Sequence, residues 1–386
     1  MTEEATVEFG WFIPTAGDGK YVGIQAERAP DATYLVQVAQ AAERSGYEFA
    51  LIPAGGDCLD AWLVGSWIAA HTTRLKPLVA MRPGLIAPVL AARMGATLDR
   101  LSGGRAQINV VTGHYAADLK ATGDPLHDNH DERYERTREF LEIVKGVWEQ
   151  EAPGGHHARN EGSAGFCYEG KHYRVEGAVS RPQPIQSPHP PLYFGGSSEA
   201  ARQVAAELAD VYLMWAEPLD WIRRQIAVMD EEQTRLHGTK GTGRKLRYGL
   251  RLQLIVRDTE EEAWDAAHEI ISQAPPELLL AAEKYHAGSD AANQRRQMEL
   301  YASSRDSGHI IGPNLWSGLS ALRGGGAVAL VGTPEQVSDR LVEYARAGIS
   351  SFILSGYPHL EEAERTGRLV LPLARAKLHG ASMNNT

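Results

Sequence analysis

The pattern of apolar and polar positions alternates between two periods along most of the chain. Residues 7–13 (VEFGWFI) are aromatic and β-branched and predict a strand, followed by the Gly-rich loop 14–19. Residues 34–45 carry Leu35, Val38, Ala39 and Ala42 at helical spacing, with Gly46 at the stop position. The alternation repeats: strands at 49–53, 75–81 and 106–112, and helices at 60–70, 88–98 and 133–148. The grain changes over 150–190, which is rich in Gly, Pro and His. Within it CYEGKHYRV (167–175) predicts a β-hairpin around Glu169-Gly170, so the segment reads as an insertion.

Strand–helix alternation then resumes. Strands are expected at 192–194, 211–215, 247–256, 329–331 and 351–354, and helices at 199–208, 219–236, 260–273 and 334–347. Residues 276–326 are mostly polar with few strand signals and suggest helix and a mobile loop, a lid over a site. A last helix is expected to contain 362–378, and 380–386 to form a frayed tail. About eight strands, most followed by a helix, predict an α/β fold: a (β/α)8 TIM barrel with insertion segments. The alternative is a doubly wound open sheet, which the lack of GxGxxG after the first strand weakens.

Composition narrows the function. Lys and Arg total 39 against 49 Asp and Glu, a net charge of −10, which argues against a general nucleic-acid binder. No apolar run reaches the roughly 18–20 residues of a membrane span, and MTEEATVEFG lacks the features of a secretory signal. Two cysteines, Cys58 and Cys167, form no disulfide framework and fit a cytoplasmic protein. The length of 386 residues fits one elaborated barrel.

A barrel places chemistry just after its strands. PLYFGGSS (191–198) ends a strand and opens a helix. Gly196 permits close backbone approach, while Ser197 and Ser198 offer hydroxyls, which suits a phosphate or plain helix capping equally. Thr112-Gly113 ends another strand. Arg251 lies inside an apolar strand, where period two puts Gly249, Arg251 and Gln253 on one face. A charge there needs a carboxylate partner or a ligand. Arg305 sits in the polar 276–326 excursion, and Tyr357-Pro358-His359 follow the last strand. The cluster His127-Asp128-Asn129-His130-Asp131 lacks metal-site spacing and reads as a capped helix start, so no metal is expected.

At these residues the sequence resembles the bacterial luciferase-like, reduced-flavin-dependent monooxygenases, and within them the alkanesulfonate monooxygenases. The stretches that carry this are LIP (51–53), Cys58 with DAWLV (60–64), ATLDRLS (96–102), PLYFGGSS, PNLW (313–316) and LSGYPHLEE (354–362). The resemblance implies a luciferase-like barrel that uses FMN, as FMNH2 supplied by a separate NAD(P)H-dependent FMN reductase. With O2 it would cleave the C–S bond of a small organosulfonate to aldehyde and sulfite. A homo-oligomer, dimer or tetramer, is implied, with no nucleic-acid or membrane partner. Ser197, Ser198 and Gly196 match the flavin-phosphate segment, and Thr112, Gly113 and Tyr134 match positions near the flavin. Cys58, Trp215, Arg251, Arg305, Tyr357 and His359 match active-site positions, with Arg305 as the arginine of the closing loop. One departure stands out: the family's Arg-x-His reads Arg251-Leu252-Gln253 here. It leaves room for a sister enzyme acting on a sulfone or other sulfur compound. A non-catalytic flavin-binding protein and a metal-dependent barrel hydrolase are the further alternatives.

Overall fold

The computed structural model describes residues 6–113, 115–150, 165–238, 245–287 and 289–383. The strands are β1 (Glu8–Phe12), β2 (Phe49–Ile52), β3 (Lys76–Met81), β4 (Gln107–Val110), β5 (Phe166–Glu169), β6 (Arg174–Ala178) and β7 (Leu192–Gly195). They continue with β8 (Val211–Trp215), β9 (Arg247–Val256), β10 (Ile310–Gly312), β11 (Leu315–Trp316), β12 (Ala329–Gly332) and β13 (Ile349–Ser355). Strands β1, β2, β3, β4, β7, β8, β9 and β13 pair in parallel, in a ring that β8 and β9 close by the register Val211↔Arg247 to Trp215↔Arg251. The result is a closed (β/α)8 barrel.

Helices α1 (Ala32–Arg44), α2 (Ala61–His71), α3 (Pro88–Ser102), α4 (Ala116–Ala121), α5 (His130–Glu149), α6 (Glu199–Leu208) and α7 (Leu219–His237) cover the first part of the ring. Helices α8 (Glu260–Ile271), α9 (Pro276–Ala287), α10 (Ala292–Ser303), α11 (Pro334–Arg346), α12 (His359–Leu369) and α13 (Leu371–Met383) follow. Their starts are written in the sequence. Asp31 accepts a bond from the Tyr34 N–H, and Thr259 with Glu262 and Thr333 with Gln336 form reciprocal capping boxes.

The strands are apolar on both faces because each serves two cores. Leu250, Leu252 and Leu254 of β9 pack outward in the layer between strands and helices. Phe49, Leu51, Leu78, Tyr193, Val211, Leu213 and Ile353, with Phe12 against them, fill the barrel interior. That plug floors the site at the C-terminal strand ends.

Four expectations are corrected. The 276–326 segment carries strands as well as helix: β10 and β11 pair antiparallel and extend the sheet onto β12, which pairs with the C-terminal half of β9. The last helix is two, because Pro372 lacks the N–H to continue α12 and starts a new axis. Residues 380–383 belong to that second helix, and 384–386 lie outside the described residues. The 127–131 cluster starts a helix at His130, but Asn129 makes no side-chain capping bond. The hairpin pairs Tyr168 with Val175 and Glu169 with Arg174, while 151–164 of the insertion lie outside the described residues. No described helix is long and apolar enough to cross a membrane.

Candidate active site

A cavity of about 610 Å³ opens at the C-terminal end of the barrel, within the roughly 300–1,000 Å³ of small-molecule sites. One end is lined by Thr112, Gly113, Tyr134, Gly195 and Gly196. Gly196 has φ +137°, and a Cβ there would lie 2.7 Å from the Ala201 Cβ and 3.0 Å from the Tyr134 hydroxyl. The backbone therefore passes the cavity closer than any side chain would permit. Ser198 caps α6, its Oγ accepting from the Ala201 N–H at 3.3 Å, and Ser197 Oγ accepts from Arg296 Nη1 at 3.0 Å. Neither serine lines the cavity. The Ser197 hydroxyl keeps its own proton to donate, and the Ser198 hydroxyl also bonds that of Tyr134. Tyr134 is nearly buried, and burial raises its phenol pKa while the Thr112 and Ser198 hydroxyls oppose the rise.

The other end is cationic. Arg251 points from β9 into the barrel and is 4% exposed. Its Nη1 donates to Leu252 O at 2.6 Å and Ile353 O at 3.3 Å, and its Nη2 to Ser355 Oγ at 2.8 Å. It forms no ion pair with a described carboxylate, so the structural ion pair is not what holds it. Burial, and then the neighbouring Arg323 charge, push its pKa well below the ordinary range. The guanidinium carbon of Arg251 lies 4.8 Å from the Phe12 ring centroid, and that of Arg323 4.9 Å. Arg323 donates to the Tyr357 hydroxyl, and its Nε is buried with no partner. The cavity also holds Asp118, which pairs with Arg82 at 2.7 Å, and the exposed Asp57.

Arg305, expected here, lies elsewhere. It is exposed on the turn Arg305–Ser307, with its guanidinium 6.0 Å from the Tyr301 ring, and does not line the cavity. The second arginine of the wall is Arg323. In the sequence Arg323-Gly324-Gly325-Gly326 is a cation on a chain of three glycines, a pattern that an ordinary surface loop shares. The last two have φ +81° and +79°, which only glycine adopts freely. A Cβ on Gly326 would lie 2.7 Å from Arg251 Cγ and 3.3 Å from the Trp215 ring, so this backbone lies flat on the site.

Trp215 ends β8 and lines the cavity. Cys58 is half-buried at the rim, beside the lining residues Gly55, Gly56 and Asp57. Tyr357, Gln253 and His359 stand behind the lining. Gln253 is fully buried, accepting from Ser355 Oγ and donating to Gly326 O at 3.3 Å. His359 Nδ1 meets Asp18 Oδ1 at 2.8 Å, and its ring stands edge-on to Tyr357 at 5.0 Å. Phe12, Arg82, Asp18 and Arg323 were not singled out by sequence, because their motifs look like ordinary loop and strand-end residues.

Residues 7–351 match the family model described as luciferase-like monooxygenase. The fold is shared with several solved structures. Riboflavin lyase (RcaE), with modified FMN and substrate riboflavin, is 22% identical at TM-score 0.76, over 96% of this chain and 92% of that one. Long-chain alkane monooxygenase (LadA) is 22% identical at TM-score 0.76, over 98% and 92%. DmoA from Hyphomicrobium sulfonivorans is 21% identical at TM-score 0.77, over 97% and 89%. At these identities the likeness establishes the shared fold.

Proposed function

The chain belongs to the luciferase-like monooxygenase family, and from that premise we propose that it cleaves the C–S bond of an organosulfonate with reduced FMN and O2. The observation that carries the substrate class is the pair Arg251 and Arg323. Two guanidiniums stand at one ring, Phe12, and neither makes an ion pair with a described carboxylate. Arg251 is buried and Arg323 half-buried, and a buried cation such as Arg251 without a counter-charge is costly unless a ligand brings one. A sulfonate is a permanent anion with three acceptor oxygens, and guanidinium forks donate to such groups in fixed geometry.

The residues present fit a flavin. The Gly195–Gly196 backbone, the Ser197 and Ser198 hydroxyls and the N-terminus of α6 would hold the phosphate. Thr112, Gly113 and Tyr134 would line the approach to the ring. Bound there, reduced FMN supplies two electrons for the reaction with O2. One oxygen atom ends in the aldehyde and the other in water, and the C–S electron pair leaves with sulfite. The chain's own tasks are to place the sulfonate by Arg251 and Arg323 and to exclude water under residues 276–326. Tyr357, which accepts from Arg323, and His359, whose ring stands edge-on to Tyr357, back this wall from outside the lining. The flavin would come from a separate NAD(P)H-dependent reductase.

A second reading, a sister monooxygenase for a neutral sulfone, is favoured by Gln253 at the position usually His. The uncompensated arginine pair opposes it, because a sulfone brings no charge. A sulfite-release screen across short to long alkanesulfonates and sulfones tests both readings, with a flavin reductase, NAD(P)H, FMN and O2 supplied. Sulfite and an aldehyde should appear with at least one sulfonate and only with the reductase present. Silence with every sulfonate would sink the proposal, and activity confined to sulfones would install the second reading.

A further inference from the structure

Gln253 touches neither the cavity nor a charge, yet it joins the two halves of the cationic wall. Its side chain is fully buried. Ser355 Oγ accepts from Arg251 Nη2 at 2.8 Å and donates to Gln253 Oε1, and Gln253 Nε2 donates to Gly326 O at 3.3 Å. The direction of this chain of bonds is forced at its start. A guanidinium only donates, so the Ser355 oxygen accepts from it and its single proton is left for Gln253. The amide oxygen is then occupied, and the amide N–H donates on its other side to the Gly326 carbonyl.

We propose that Gln253 is a positioning residue that aims Arg251 through Ser355 and, through Gly326, fixes the glycine segment that carries Arg323. The relay therefore sets the relative placement of both guanidiniums. Three further observations make the coupling strict. The Gln253 backbone N–H donates to Val328 O at 3.0 Å, so the strand holds the segment at a second point. The three glycines 324–326 contribute no side-chain anchor, so beyond the Arg323–Tyr357 bond the segment depends on its backbone contacts. Gly326 packs so closely on Arg251 and Trp215 that a Cβ has no room. An uncharged amide also does what a carboxylate would not. Glutamate here would give Arg251 the counter-charge that the ligand is to supply, and would lose the donor to Gly326. An imidazole can copy the relay only when neutral, with one nitrogen accepting and the other donating. The amide keeps the relay independent of pH.

The claim about sulfonate affinity rests on the proposed substrate class, whereas the claim about the segment does not. Two measurements on the full-length protein separate them. Hydrogen exchange over residues 322–328 in Gln253→Leu should speed up by roughly tenfold or more in the absence of any ligand. Unchanged exchange overturns the inference whatever the substrate is. Octanesulfonate binding, followed by tryptophan fluorescence, should weaken by about tenfold in Gln253→Leu and in Ser355→Ala, and no further in the double variant, as links in series require. Effects that multiply in the double variant overturn the relay. Should Gln253→Leu not fold, Gln253→His at pH 8 serves instead. It should keep affinity and exchange near wild type, and loss of both overturns the relay. Faster exchange in Gln253→Leu with no octanesulfonate binding by the wild type keeps the positioning role and removes the sulfonate reading.

Discussion

Asp18 receives both the backbone N–H of His359, at 2.7 Å, and its ring nitrogen Nδ1, at 2.8 Å. A carboxylate accepts, so the Nδ1 carries the proton and Nε2 is left as a buried acceptor with no partner. The Tyr34 hydroxyl donates to the other Asp18 oxygen, and Trp11 Nε1 donates to His359 O at 3.1 Å. Burial lowers the His359 pKa, with Arg323 and Arg251 adding to the fall, and outweighs Asp18, which raises it. Burial also works to raise Asp18, but His359 and Tyr34 hold it below the ordinary carboxylate range. The sign follows for stability. Both groups have folded pKa values below their unfolded ones, so the unfolded chain binds more protons on acidification. Stability from His359 is complete above about pH 6.5 and is lost as pH falls toward its folded pKa. That from Asp18 is lost only below about pH 3.8. The His359 contribution, read as the urea midpoint of the wild type minus that of His359→Gln, should therefore decline between pH 8 and pH 5, and Asp18→Asn should lower the midpoint at every pH. A contribution that rises on acidification over that window would contradict the neutral, oriented imidazole.

The two arginines of the wall should behave alike and unlike Arg305. Arg251→Ala and Arg323→Ala each remove a guanidinium with no described carboxylate partner, so little ion-pair stability goes with them. Each should cost about 2–5 kcal/mol in kcat/KM for a sulfonate, mostly through KM. Arg305→Ala alters an exposed side chain outside the cavity and should leave both constants within about twofold, as surface substitutions generally do. Steady-state sulfite release across the three variants decides the matter. Loss of activity in Arg305→Ala alone would restore the assignment made from sequence.

The barrel was legible because the strand–helix units carry a local apolar period, reinforced in some by a cap such as Thr259 or Thr333 or by a glycine stop such as Gly103. Val211–Trp215 and Arg247–Val256 match their sequence-based bounds, since both strands are bracketed by turn residues and a change of period. Arg251 could be picked out because a charge in an apolar strand violates that pattern. Arg323 could not be picked out by the same test, since it lies in a loop, where arginine is ordinary. Only the fold brings it to Phe12. Asp18 and His359 are 341 residues apart, and no local pattern joins them. The break between Leu369 and Leu371 was missed because the apolar period runs on across it, and Pro372 was the one signal against continuity.

Gly196 offers a test of the flavin site that leaves the arginines untouched. Its φ of +137° is strained for any residue with a Cβ, and that atom would crowd Ala201 and Tyr134. Gly196→Ala should raise the Kd for reduced FMN by about tenfold or more, because the backbone can no longer approach the phosphate. Strain of this kind costs of order 1–3 kcal/mol in stability, so folding must be followed in parallel. Anaerobic titration with FMNH2, monitored by protein fluorescence, gives the binding constant. Unchanged affinity in folded Gly196→Ala would place the phosphate elsewhere.

Arg296 ties the α10 segment to the loop beneath the proposed phosphate site. One guanidinium donates to Glu217 Oε1 at 2.7 Å, Ser197 Oγ at 3.0 Å and Gln225 Oε1 at 3.0 Å. Glu217 is fully buried, and burial raises its pKa even though Arg296 opposes the rise. Removing the arginine leaves that carboxylate without its cation, and breaking such a pair costs about 3–5 kcal/mol. A folded pKa above the unfolded value means stability that is present at low pH and lost as pH rises through the folded pKa. Arg296→Ala should thus be most destabilised near pH 8 and should recover part of the loss as pH falls and Glu217 takes up a proton. Arg296→Ala combined with Glu217→Gln should remove most of that pH dependence, since the amide carries no charge to bury. Urea denaturation of both variants at pH 6 and pH 8 reads the effect. A destabilisation of equal size at the two pH values would mean that the Glu217 charge is not its source.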